Sequence, residues 1–329
     1  MEFLGHLGDV FSDFHDPKKR IFVGYLLAAI LIALLWLVAV RRCSFRDALQ
    51  KVFDRSILWS ASARADYKIF VINRIFTLFI SPLLLSQLAI ATAVYYLLLD
   101  LPVLHRELFS DAPVALVTVL FTVTIFLMDD LTKYVLHRMM HRWPLLWAIH
   151  KVHHSAETMT PVTVYRVHPL EGVLYAFRTA FVQGSVMASF LFLFGPSVDL
   201  VTVLGVSVFS FVFHVAGSNL RHSHISIRYW PWLEHLLISP AQHQIHHSSA
   251  KRHYDKNFGV AFALWDWLFG SLHLSEPDTE LTFGLSQTEA HASDIRNIYL
   301  RPFADMYAVI RRRLPRRRPR ATAAVKSQR

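Results

Sequence analysis

The chain has 329 residues, 53% of them hydrophobic, with a mean hydropathy of +0.34, which is rich for a soluble protein and reads as an integral membrane protein. Its net charge of +10 comes almost entirely from residues 311–329, where nine Lys or Arg stand without an acid; no nucleic-acid-binding module accompanies that run, and no nucleic acid is expected as a partner. The one cysteine, Cys43, excludes an internal disulfide, iron–sulfur ligation by this chain and a cysteine-type zinc site.

Residues 21–40 form an uncharged run flanked by Lys18, Lys19 and Arg20 before and Arg41 and Arg42 after. At about 1.5 Å per residue it matches the roughly 30 Å hydrocarbon layer. It is too long for the apolar part of a signal peptide, starts late and ends in arginines, so it is expected to be retained. Further spans are predicted at 75–99, at 113–128 running into Asp129 and Asp130, at 173–194 carrying Arg178, and at 198–217, with Gly195 and Pro196 turning between the last two. Residues 41–74 hold eight Lys or Arg, whereas 100–112 holds only Arg106 against three acids, so the first of these loops is expected in the cytoplasm. Counting crossings from there puts residues 137–154, and everything after about 217, on that same side. Lys18 to Arg20 then fall outside, unless the first segment is re-entrant.

Histidine is concentrated beyond these spans. His137 and His141 lie in "HRMMH", His150, His153 and His154 in "HKVHH", and His243, His246 and His247 in "HQIHH", so eight of nineteen histidines occupy three five-residue windows. Offsets of three and four residues return to one helical face. Imidazoles favour neither helix nor core over leucine; their shared property is metal binding through a neutral ring nitrogen. A zinc site takes at most four protein ligands, so eight histidines imply two metals, and imidazole alone does not choose among zinc, copper and iron. Tyr134 and Asp130 continue the His137/His141 face, which makes Asp130 a candidate partner for the second nitrogen of a ligand ring, or simply an interfacial acid. Two other classes fit less well. A metal transporter would place polar groups at mid-bilayer, and these windows lie beyond the apolar runs. A metal-dependent hydrolase needs a carboxylate base, and no HExxH is present. "RWPLLWAIH" and "RYWPWLEHLL" set tryptophan beside arginine, as segments at the head-group boundary do.

The three windows, in this order and between apolar segments, resemble the HxxxH, HxxHH and HxxHH boxes of the membrane-bound di-iron fatty acid hydroxylase and sterol desaturase superfamily. "HPLE" at 168–171, "LRHSH" at 220–224, "DKNFG" at 255–259 and "WDWLFG" at 265–270 extend the resemblance over about residues 115–275. It implies that the eight histidines are ligands of two iron ions, which zinc can replace in purified protein, with a further ligand from "RHSH": His222, ahead of His224. His214 is a further candidate, since His214 and Ser218 precede His222 by two turns and one turn on one helical face. His168 is a ligand, a neighbour of a ligand or a turn residue; Asp255 and Asp266 orient histidines or cap helices. His6, His15, His105, His273 and His291 fall outside the pattern. The resemblance further implies dioxygen as co-substrate and hydroxylation, ahead of desaturation, of a fatty acyl, sterol-like or other membrane lipid. Electrons would come from a separate ferredoxin-, haem-protein- or reductase-type donor. The basic tail is expected to be disordered and to meet anionic lipid head groups.

The expected fold is an all-α integral membrane bundle of about 4–5 transmembrane helices, with a cytoplasmic helical cap holding a histidine-rich dimetal centre, in a bacterial inner membrane. Residues 1–112 would form an N-terminal transmembrane region and basic linker, 113–275 the histidine-box domain, 276–310 a C-terminal extension and 311–329 the tail.

Overall fold

The computed structural model describes residues 12–80, 86–102, 105–196, 198–277, 279–285 and 294–313. Its helices in chain order are α1 (Val23–Leu35, continued by a π turn over Trp36–Val40), α2 (Phe45–Val52), α3 (Arg55–Leu58), α4 (Ala61–Ile80), α5 (Gln87–Leu99), α6 (Val114–Arg142), α7 (Pro144–His154), α8 (Pro169–Phe194), α9 (Val208–Val215), α10 (Pro240–His246), α11 (Leu264–Leu268) and α12 (Ile295–Arg313). Among the described residues the only sheet is one two-stranded hairpin, so the all-helical expectation holds.

Three helices are long and apolar enough to cross a membrane by length and composition: Val23–Val40, Val114–Arg142 and Pro169–Phe194. Two predicted spans are redrawn. Residues 75–99 do not form one helix, because the Ser86 hydroxyl accepts the Ala89 N–H and starts α5 afresh. The 13 residues of α5 reach only about 20 Å. Residues 198–217 likewise do not form one helix. Thr202–Val203 pairs antiparallel with Val206–Ser207 around Leu204 and Gly205, both at positive φ (52° and 72°), the geometry of a tight hairpin turn. Only eight residues of α9 follow. Apolar composition alone does not separate such a hairpin from a helix.

The third predicted span continues where its apolar run stops. Helix α6 passes through Asp129 and Asp130 for 29 residues and carries His137 and His141 on its last two turns. Asp129 is neutralised within the helix pair, accepting from Lys133 one turn on (2.6 Å) and from Arg178 of α8 (2.9 Å). Arg178 also donates to the Asp129 carbonyl and the Thr132 hydroxyl, so the charged groups on these apolar helices answer one another. Helix α8 packs against both α5 and α6. At Gly184 a side chain would meet the Gln87 carbonyl at 2.8 Å and the Ala91 nitrogen at 3.1 Å, so glycine is what lets α5 and α8 touch backbone to backbone.

Helix α1 lies elsewhere. Tyr25, Ala29, Ala33 and Leu37, four residues apart, form its buried stripe, and its alanines allow close approach to Leu220, Ile225 and Ile227 beside His222. Leu27, Leu31 and Leu35 face outward. The segment after α7 is keyed to α4 by a fully buried ion pair, Arg166 to Asp66 at 3.1 Å, with the Thr163 hydroxyl donating to the same carboxylate.

Candidate metal centre

Four elements converge beyond the ends of the long helices. Pro144 opens α7 directly after α6, reversing the chain so that His150 and His154 face back onto His137 and His141. Helix α10 starts at a reciprocal cap, in which Ser239 accepts the Gln242 N–H and Gln242 accepts the Ser239 N–H, both residues fully buried. That cap aims His243 and His246, with His247 at the helix end, into the same space. Gly217, at φ 92°, breaks the chain after α9, and a 3-10 turn over Ser218–His222 brings in His222.

The nine rings sort into two groups: His137, His141, His150, His154 and His246, and His153, His222, His243 and His247. Within each group, one ring nitrogen from every residue lies within 4.8 Å of all the others. The groups abut, with the rings of His154 and His247 stacked at 4.5 Å. All but His141 are buried.

Outer contacts decide which nitrogen faces inward. His137 donates from Nδ1 to the Phe258 carbonyl (2.8 Å), His246 to the Lys256 carbonyl (2.7 Å), His153 to the Arg166 carbonyl (3.3 Å) and His150 to Glu171 Oε1 (2.9 Å). With the proton on Nδ1, Nε2 presents a lone pair to the interior. In the first group all five Nε2 atoms are buried without a hydrogen-bond partner. At about 1–3 kcal/mol each, five such atoms would consume much of a domain's net stability of about 5–15 kcal/mol. In the second group, His222 Nε2 sits 3.1 Å from His153 Nε2 and 3.0 Å from His243 Nε2, too many nitrogens for the protons available. Burial also drives the rings neutral, His153 to about 3 and His150, His154, His222, His243, His246 and His247 well below the usual imidazole range. Neutral, inward-facing and nitrogen-only, the two groups fit one transition-metal ion each.

Glu171 is the functional residue that the sequence reading passed over. Nothing in the spacing of "HPLE" gives Glu171 a role; the fold brings it from the first turn of α8 onto His150, and both side chains are only 2% exposed. An acid inside an apolar helix that opens beside a histidine box was the available signal. Glu171→Gln is expected to weaken metal retention by about 10–100-fold, as loss of such orienting partners does. Chelator competition on the purified protein measures this, with circular dichroism checking that helix content is kept.

The other candidates fall outside both groups. Asp130 accepts from the backbone N–H groups of Ala261 and Phe262 and from Trp265 Nε1, and touches no imidazole. Asp266 accepts from the N–H groups of Phe258 and Gly259 and from the Ser271 hydroxyl. Together these acids clamp the segment whose Phe258 carbonyl orients His137, so they act on the site through backbone. Asp255 is exposed, 3.9 Å from Arg142, and is not an orienting partner. His168 caps α8: its Nδ1 accepts the Leu170 N–H, and its Nε2 donates to the Tyr299 carbonyl. His214 shares no helical face with His222, since α9 ends at Val215; its Nδ1 pairs with the Ser218 hydroxyl. His224 turns away and donates to the Lys51 carbonyl. His15 and His105 are exposed and His273 lies against His253, while His6, His291 and the tail from residue 314 lie outside the described residues. Of the tryptophans beside the boxes, Trp143, Trp230 and Trp232 are exposed, but Trp147 packs on His141.

A cavity of about 360 Å³, lined by Trp147, Tyr254 and Leu285 among others, opens onto His141, His154, His246 and His247. Residues 122–271, which contain all nine grouped histidines, match the family model for fatty acid hydroxylase. The chain carries a fatty acid hydroxylase-family domain. It is 26% identical over 176 residues to an alkylglycerol monooxygenase of Caenorhabditis elegans, covering 52% of this chain and 30% of that protein. It is 27% identical over 140 residues to an ornithine lipid hydroxylase of Rhizobium tropici (43% and 38%) and over 161 residues to a Delta(7)-sterol 5(6)-desaturase of Aspergillus fumigatus (45% and 47%). The chain thus spans less than half the length of these relatives. No solved structure matches it. In the fatty acid hydroxylase domain, Asp130, Glu171 and Asp266 are buried acids that support the histidines without joining either group.

Proposed function

We propose that the protein is a membrane-bound, dioxygen-dependent lipid oxygenase, with one iron ion held by His137, His141, His150, His154 and His246 and a second by His153, His222, His243 and His247. The observation that carries this reading is the set of inward-facing ring nitrogens left without hydrogen-bond partners inside a fatty acid hydroxylase-family domain. Two iron ions at these positions would supply the oxidising power to break an unactivated C–H bond with dioxygen and two electrons. The chain's own part is to keep the imidazoles neutral, to lock their inward tautomer through Phe258, Lys256, Arg166 and Glu171, and to bury the site from water. Trp147, Tyr254 and Leu285 offer an apolar wall to a substrate approaching the exposed edge of His141.

Hydroxylation is favoured over desaturation because two of the three relatives named are a monooxygenase and a hydroxylase. Both reactions begin by removing hydrogen from carbon. They differ in the fate of oxygen: hydroxylation places one oxygen atom of O2 in the lipid and releases the other as water, whereas desaturation sends both to water. Incubating membranes that contain the protein with 18O2 and a reducing system is expected to put label into a lipid hydroxyl group. A new double bond without label would overturn this reading in favour of desaturation.

The substrate is proposed as a fatty acyl, sterol-like or other membrane lipid, and the electrons as coming from a separate ferredoxin-, haem-protein- or reductase-type partner. Residues 41–74, with eight Lys or Arg, pack beside the metal centre, the Lys51 carbonyl accepting from His224 and Asp66 pairing with Arg166, which supports a centre facing the cytoplasm, in the reading of a bacterial inner-membrane protein. The basic run from residue 311 is proposed to meet anionic head groups.

A further inference from the structure

Helix α12 carries an apolar stripe that the described residues leave largely uncovered, the Phe303 ring touching that of His168 at 5.3 Å. Leu300, Phe303, Tyr307 and Ile310 are 55%, 51%, 66% and 47% exposed, and at 100° per residue they fall within an arc of about 80°. The opposite face is committed: Ile298 is buried with Ile69 of α4 and Val152 of α7, and Asp305 accepts from Lys151 of α7 at 2.7 Å. Arg311 borders the stripe, about 20° beyond Leu300, while Arg301 and Arg312 lie further round toward the committed face, where Arg301 is 4.0 Å from Asp305; Arg311 and Arg312 are exposed.

The position of α12 says what meets that stripe. The Tyr299 hydroxyl donates to Asn73, whose amide donates to the Val167 carbonyl, and the Tyr299 carbonyl accepts from His168 at the cap of α8. Asn73 lies near a change of surface along α4. Ala63, Ala65 and Ile69 are buried against protein, whereas Val71, Ile72, Ile75, Phe76 and Phe79, on either side of Asn73, are exposed. His168 marks the start of α8, one of the helices able to cross a membrane. Helix α12 therefore sits beside the level at which two neighbouring helices turn an apolar surface outward.

We propose that α12 lies in the plane of an anionic membrane surface, with Leu300, Phe303, Tyr307 and Ile310 in the acyl boundary and the exposed Arg311 and Arg312 reaching lipid head groups. An apolar stripe edged by cations is what such interfacial helices present. A second copy of the chain is disfavoured as occupant, since it would set like-charged arginine edges against each other. Through Lys151 and Val152 the helix ties α7, which carries His150, His153 and His154, to the bilayer surface. This inference does not depend on what the metal centre does.

The test uses the full chain with Cys43→Ser and single cysteines at Phe303, Tyr307 or Ala308, each labelled with an environment-sensitive fluorophore. The proteins are reconstituted into vesicles of phosphatidylcholine with or without phosphatidylglycerol. Labels at 303 and 307 are expected to emit at shorter wavelength and to be quenched by shallowly brominated lipid, while the label at 308, on the arginine side, stays closer to water. Arg311→Glu with Arg312→Glu is expected to reduce quenching at 303 in the anionic vesicles more than in the neutral ones. Water-like emission at both 303 and 307 in all vesicles would overturn the proposal. So would crosslinking between copies at 307 without lipid quenching, which would assign the stripe to a second copy. Equal quenching in both vesicle types, unmoved by the arginine substitutions, would overturn its anionic part. All substituted positions on α12 are exposed, and retained helix content shows that the fold survives.

Discussion

Replacing His243 and His246 together with alanine is expected to strip the purified protein of metal. Prepared with ample iron and no chelator, the wild-type chain should carry about two transition-metal ions, even where zinc has displaced iron during expression. The pair is chosen because one helix serves both groups. His243 belongs to the group of four that includes His222, and His246 to the group of five that includes His137. Removing one ring from each group also removes the close nitrogen of His243, 3.0 Å from His222, and the ring of His246, 4.5 Å from His137. Mass spectrometry of metal per chain reads the result directly. Near-zero metal in the wild type would remove the basis of the dimetal reading and return the histidine windows to the transport hypothesis.

His153→Ala is expected to lower lipid turnover by more than about 100-fold, beyond the range seen when only an orienting partner of a ligand is lost. His153 occupies a position that no neighbour can fill. It stands one residue before His154 yet faces the other group, with Nε2 3.1 Å from His222 and its ring 4.6 Å from that of His247. Its outer nitrogen is held by the Arg166 carbonyl, next to the buried Arg166–Asp66 pair, so the scaffold around it stays in place when the ring is removed. Membrane insertion and the detergent elution profile should therefore match the wild type. Retained turnover would take His153 out of the ligand set.

Much of the candidate site was legible before any fold was known. The three boxes are local patterns: rings three and four residues apart on a helix share a face whatever the helix packs against. The resemblance asks for a ligand from "RHSH", which offers His222 or His224, and the fold sets His222 among the rings while turning His224 to Lys51. Asp130 shows the limit of the same logic. Its place on the His137 face is as read, but a helix face does not say which chain will lie on it, and the segment from Ala261 to Trp265 took both carboxylate oxygens.

The amino-acid sequence by itself determined the helical class, the apolar make-up and the three histidine windows, because each depends on composition or on spacings of a few residues. Only the tertiary structure decided how nine rings divide into groups of five and four, that Glu171 reaches His150 across 21 residues of chain, and that a hairpin over residues 202–207 interrupts the apolar run 198–217. These outcomes rest on contacts between segments far apart in the chain. Helical periodicity fixes which way a side chain points, while its partner is set by packing, by the burial of unpaired polar atoms and by where the next backbone carbonyl happens to pass.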